Sequence, residues 1–154
     1  MNSGSRSTIT RLSLKIALGV FLSTGAIAGE VQYVSIPTPF KAAIQARHGD
    51  NCVAFIRADM KIRLPDVDLT TWQAKQAIVN VRTNPRYGDV AIIAVPTGGA
   101  APYGHLAMVT DVTASSITIV EGNFKSGQVT ERRATGKSIA DAQSQLRIYG
   151  FYRP

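Results

Sequence analysis

The sequence predicts an α+β domain, with helices in the first half and an antiparallel sheet in the second. Three observations carry that expectation. Before residue 82, apolar residues recur at helical spacing. From Pro85 onward, short apolar runs are separated by glycine and polar turns, the pattern of strands. A chain of 154 residues, 45% of them hydrophobic, has room for one core and so for one domain. Helices followed by strands, rather than alternating with them, give the α+β class.

The first stretch is set apart from that domain. Arg6, Arg11 and Lys15 precede an uncharged, mostly apolar run from Ile16 to Ala28, which ends in Ala26-Ile27-Ala28. A basic start, an apolar run and small residues at its end are the pattern of a secretory leader, here cut after Ala28. The 13 residues of the run fall short of the roughly 20 a spanning helix needs, so no stable membrane insertion is expected after cleavage. Residues 1–28 are therefore expected to be a signal peptide and the protein to be periplasmic or secreted. No Arg-Arg pair precedes the run, which points to the general export route. Removing three basic residues from the net charge of +7 leaves 14 Lys+Arg against 10 Asp+Glu. That mild basicity suits an anionic wall or membrane surface. There is no basic run with interleaved aromatics, which argues against nucleic-acid binding.

Residues 29–39 read as an extended lead-in containing Pro37 and Pro39, and 40–154 as the domain proper. Phe40 to Arg47 has the spacing of a short helix, closed by His48-Gly49. A second helix begins at Cys52, with Val53, Ile56 and Met60 on one face and Asp50 or Asn51 as its cap. Lys61 to Leu69 is irregular. Asp66 and Asp68 lack the glycine and glutamate of a calcium loop and read as turn and cap residues. Thr70 or Thr71 caps a third helix running to about Val81, with Trp72, Ala74, Ala77, Ile78 and Val81 on its apolar face. About five strands follow: Asp89 to Val95, Gly104 to Val112, Ser115 to Glu121, Gln128 to Arg133 and Gln145 to Tyr152.

The chemistry centres on one thiol. Cys52 is the only cysteine in the chain. In an exported protein it has no partner for an internal disulfide, so it is a free thiol in an oxidising place. A cysteine at a helix start is favoured as thiolate. A small buried core cysteine is the commoner reading of such a residue taken alone. Nucleophilic thiol catalysis also needs an imidazole base and a polar group to orient it. His105 is the candidate base, because His48 would have to fold back across a turn to reach a thiol four residues away. Glu121 and Asn123 are the candidate orienting groups, since residues two apart on a strand share a face. A hairpin turning near Ala114 brings His105 opposite them. Taken one at a time, a lone strand histidine is more often structural and a strand-end glutamate more often solvated.

These residues lie in a recognisable frame: Asn51-Cys52-Val53-Ala54-Phe55, Pro85-Arg86-Tyr87-Gly88-Asp89-Val90-Ala91, Tyr103-Gly104-His105-Leu106-Ala107-Met108-Val109 and Val120-Glu121-Gly122-Asn123-Phe124. In that frame the sequence resembles the CHAP domain, the cysteine, histidine-dependent amidohydrolases/peptidases of the papain-like NlpC-type superfamily. The resemblance covers about residues 40–133. It implies a papain-like fold, nucleophile Cys52, base His105, orienting groups Glu121 and Asn123, and cleavage of amide bonds in peptidoglycan peptides, with no metal or cofactor. Where the family often carries Gln before the cysteine, this chain has Asn51, one methylene shorter. Asn51 is thus an oxyanion candidate, with the backbone amide of Cys52 as the other donor. The expected function is an exported cysteine amidase or endopeptidase acting through an acyl-enzyme. The alternative is an inactive CHAP-like module that binds wall peptides or a partner protein, although such a module need not keep all four site residues. A thiol transferase using the same dyad would differ only in its acceptor.

Overall fold

The computed structural model describes residues 31–34, 51–124 and 127–154. The expected leader, the helix over 40–47 and His48 lie outside the described residues. So do Lys125 and Ser126.

The described elements run β1 (Val31–Val34), α1 (Cys52–Ala54), a π-helical turn (Phe55–Asp59), α2 (Trp72–Ala77), β2 (Val90–Ile93), β3 (His105–Val112), β4 (Ser116–Gly122), β5 (Val129–Thr135), α3 (Ile139–Gln145) and β6 (Ile148–Tyr152). The class is α+β, as expected. The sheet has six strands in the order β1-β5-β4-β3-β2-β6, every neighbouring pair antiparallel. The strand beyond the expected five is β1. It comes from the extended lead-in and pairs with β5, Val31 opposite Ala134 through Val34 opposite Glu131. The lead-in is therefore part of the sheet. Among the described residues, no helix is long and apolar enough to cross a membrane.

Alternation along the central strands builds two cores, one on each face. Val90, Ile92, Leu106, Met108 and Val120 face one way and pack against Phe55, Ile56, Leu64 and Leu69. Ala91, Ile93, Ala107, Val109, Ile117 and Ile119 face the other way, against Ala142 and Leu146 of α3. Burial on both faces explains why the strand at Val90 reads as a continuous apolar run rather than an alternating one.

Three elements depart from their expected form. The cysteine helix is α-helical only to Ala54 and then widens, Met60 N–H bonding to Phe55 O and Ile62 N–H to Ile56 O. A regular helix would present Val53, Ile56 and Met60. The wider turn instead buries the adjacent pair Phe55 and Ile56 completely. Helix α2 stops at Ala77 because the chain beyond it joins the sheet: Val81 exchanges both backbone hydrogen bonds with Phe151. In the polar segment before the last strand, Ser138 caps α3 over Ile139–Gln145. Arg147 then turns the chain at φ 57°, so β6 starts at Ile148 rather than Gln145.

Two glycines set how closely the helical segments approach the sheet. A Cβ on Gly122 would lie 2.8 Å from the Phe55 ring, so the end of β4 is bare where the cysteine segment rests on it. Gly104 has φ +60°, and a Cβ there would come 2.5 Å from the Trp72 ring. It lets the chain turn into β3 over Trp72 and start that strand on His105.

Candidate active site

Asn51 positions the thiol. Its Oδ1 accepts from the N–H groups of Val53 (2.9 Å) and Ala54 (3.0 Å), capping the turn that Cys52 begins. Cys52 is half-buried, at one wall of a cleft of about 320 Å³ that also takes in Asn51, Lys75, Tyr103, His105 and Asn123.

His105 opens β3 and is 6% exposed. Its ring and the Cys52 thiol are close enough to act on each other's titration, and Nε2 lies 3.2 Å from Oε2 of Glu121. The Nε2–H does not aim squarely at that oxygen, so the contact is an ion pair more than a linear hydrogen bond. With Nε2 turned to the carboxylate, Nδ1 is the nitrogen left for sulfur. Sheet register explains the meeting. Continuing from Met108 opposite Val120 puts Glu121 opposite Ala107, so His105 and Glu121 are diagonal neighbours on one face.

Glu121 is fully buried and held by three donors. Arg132 Nε and Nη2 reach its two oxygens at 2.5 and 2.8 Å, and Thr130 Oγ1 donates to Oε1 at 3.1 Å. Thr130 sits opposite Glu121 across β4–β5, and Arg132 is two residues further on the same face. Phe124 closes this side. Its ring lies 3.7 Å from the Arg132 guanidinium carbon and meets the His105 ring edge-on at 5.4 Å.

Asn123 lines the cleft but its carbonyl serves the turn. It has φ 65°, and its Oδ1 accepts from Gly127 N–H at 2.9 Å. The structure thus brings Cys52, His105 and Glu121 into one chain of contacts, with Asn51 beneath the cysteine and Asn123 at the rim.

The charges are coupled. Burial alone would raise the Cys52 thiol, but the hydrogen bond and charge of His105, the charge of Lys75 and the N–H of Leu106 together bring it below the usual range. Burial would likewise lower His105, yet contact with Cys52 and Glu121 outweighs it and pushes the imidazole up to about 9. For Glu121, the upward push of burial is overcome by His105 and Arg132, and the carboxyl titrates lower than usual. Each shift runs in the same direction, towards a thiol that gives up its proton more readily beside an imidazole that keeps its own.

Arg132, Thr130, Phe124 and Lys75 were not among the residues expected at the site. The outward count that pairs β3 with β4, applied to the β4–β5 hairpin, reaches Thr130 and Arg132. Lys75 leaves a fainter signal: it falls between Trp72 and Ile78 at i+3 spacing, where an apolar residue belongs. Among the described residues, no group of three or more His, Cys, Asp or Glu side chains could hold a metal ion.

The sequence matches the family model described as the CHAP domain over residues 42–123, more than half of the chain. None of the curated proteins matches it. Among solved structures, it is similar to the crystal structure of Ly7917 with the hydrolyzing product of MDP, at 22% identity and a TM-score of 0.39 over 59% of this chain. It is also similar to a second crystal structure of Ly7917, at 18% identity and a TM-score of 0.39 over 60% of this chain. The matched part spans 40% of the Ly7917 chain in each case.

Proposed function

We propose that this chain, which belongs to the CHAP domain family, is an exported cysteine amidase or endopeptidase that cuts amide bonds in peptidoglycan peptides. The observation that carries the reading is the contact chain Cys52–His105–Glu121 at the wall of an open cleft. A structural cysteine needs neither an imidazole at its sulfur nor a buried carboxylate behind that imidazole.

In this reading the Cys52 thiolate attacks the carbonyl carbon of the peptide bond. The oxygen takes the charge and is met by the backbone N–H of Cys52. As the tetrahedral adduct collapses, the C–N bond breaks and His105 gives its proton to the leaving amine. A thioester on Cys52 remains. Water, giving its proton to His105, then attacks that carbonyl and releases the acid and the thiolate. Glu121 holds the imidazole ring and favours its charged form. Export rests on the leader pattern of residues 1–28, and N-terminal sequencing of extracytoplasmic protein is expected to begin at Gly29.

Incubation of the mature protein with purified peptidoglycan, followed by mass analysis of the fragments, tests the activity. New fragments are expected from the native protein and not from Cys52→Ser, each cut adding one water as a new acid on one side and a new amine on the other. Retention on peptidoglycan without fragments would establish the inactive binding module instead. Fragments joined to an added amine would establish transfer.

A further inference from the structure

Lys75 is a buried amine whose charge helps to lower the Cys52 thiol, yet both of its hydrogen bonds go to neutral carbonyls. It is 2% exposed, on helix α2, and lines the same cleft as Cys52 and His105. Its Nζ donates to Tyr103 O at 2.7 Å and to Thr70 O at 3.3 Å. An ammonium has three N–H donors, so one remains. Both partners are neutral carbonyls, which satisfy hydrogen bonds but do not balance the charge. The charged groups that act on Lys75 are the Cys52 sulfur and Asp68. Asp68 is exposed, and its Oδ1 accepts from Thr70 N–H at 2.9 Å. Burying an ammonium is costly when no opposite charge is buried with it. A purely structural bridge between two carbonyls would be made equally well by an uncharged amide. Burial lowers the Lys75 ammonium below the usual lysine range against the opposing pull of Cys52 and Asp68, and the cleft holds this group beside Cys52 with a donor to offer.

We propose that Lys75 is a recognition residue that binds a carboxylate of the substrate next to the bond under attack. Peptidoglycan stem peptides carry free carboxylates close to their amide bonds, so the inference deepens the function proposed above and rests on it for the identity of the peptide. A carboxylate at Nζ supplies a counter-charge in direct contact and takes the remaining donor in a charge-assisted hydrogen bond. It also fixes which carbonyl lies over the sulfur. Specificity then favours acids over the corresponding amides, because the amide leaves the ammonium unbalanced.

The test uses Cys52 itself and needs no peptidoglycan. Iodoacetate and iodoacetamide both alkylate the thiolate, so any change in thiolate content cancels in the ratio of their rates. Lys75→Met is expected to lower the iodoacetate-to-iodoacetamide ratio at least fivefold. Lys75→Gln, which keeps a donor for one carbonyl, is expected to do the same and serves if the Met variant does not fold. An equal fall in both rates would assign Lys75 to the thiolate alone and overturn the proposal, as would no change in either. In the native protein, N-acetylalanine is expected to protect Cys52 from iodoacetamide at concentrations where N-acetylalaninamide does not. Equal protection by the two also overturns it. If the carboxylate preference holds and peptidoglycan is not cleaved, the anion site stands and the hydrolase reading falls.

Discussion

The Glu121 carboxylate touches His105 and Arg132 at once. Oε2 faces His105 Nε2 at 3.2 Å, while both oxygens are gripped by the Arg132 guanidinium. One negative charge therefore serves two cations inside the sheet. The arginine holds the carboxylate in place, and the carboxylate lies beside His105 Nε2.

The coupled charges predict a bell-shaped dependence of cleavage rate on pH. The acid limb reports protonation of the Cys52 thiolate and should lie below the range of an ordinary thiol. The alkaline limb reports loss of the His105 proton, the one given to the leaving amine, and should fall near pH 9. Rate therefore drops as pH rises through about 9. Initial rates on a soluble peptide across pH 4–11, taken with iodoacetamide alkylation over the same range, check both limbs. Alkylation needs only the thiolate, so its rate should not fall at the alkaline end.

Glu121→Gln should narrow that bell from both sides. Without the carboxylate, imidazolium is less favoured and the alkaline limb moves to lower pH. A weaker imidazolium in turn supports the thiolate less, so the acid limb moves up. Turnover should fall by about 100-fold or more, the scale of proton-transfer catalysis. Asn123→Ala should cost less and leave the limbs in place, since the Asn123 carbonyl serves Gly127 in the turn. Near-native profiles for both variants would end the role given to Glu121.

Arg132→Met should be costly to stability. It leaves a fully buried carboxylate without its bidentate partner, and breaking a buried ion pair from one side costs about 3–5 kcal/mol. The direction with pH follows from the Glu121 titration. Its lowered folded-state value contributes stability at neutral pH that is lost as pH falls through that value. Without Arg132 the value rises, so acid destabilisation should begin at higher pH. Urea unfolding at pH 7 and pH 5 measures both effects. In the double variant with Glu121→Gln, the combined loss should be less than the sum of the single losses.

The parts of the site legible in the sequence are those fixed by local pattern. The helix start at Cys52, the glycine before His105 and the hairpin between β3 and β4 follow from neighbouring residues, and they brought Cys52, His105 and Glu121 together. The parts that were not legible depend on contacts distant along the chain. Arg132 reads as a charge on an edge strand until β1 pairs with β5 on the side away from β4. Val31–Val34 reads as a linker because its partner lies a hundred residues later. The π-helical turn at Phe55 goes with the complete burial of two bulky neighbours, Phe55 against Gly122 and Ile56 in the same core, a demand that helical periodicity does not show. Asn51, expected as a cap or an oxyanion donor, caps a helix, and Asn123, expected to orient His105, braces a turn.

Asn51 allows the last distinction to be tested by substitution. As a cap, it satisfies two N–H groups of the first turn through Oδ1 alone. As an oxyanion donor, it would act through Nδ2. Serine supplies a capping oxygen on a shorter side chain that does not reach a substrate oxygen. If capping is the role, Asn51→Ser should keep turnover within a few fold of native, while Asn51→Ala should lose about 1 kcal/mol of stability and, with the cysteine turn loosened, part of its activity. If Nδ2 binds the oxyanion, both variants should lose turnover equally, by about 100-fold or more, since removing one such donor costs that much. The geometry favours the first outcome, because Asn51 Oδ1 already accepts from two N–H groups of the turn. Steady-state rates and melting curves for the two variants, measured side by side, separate a lost cap from a lost donor.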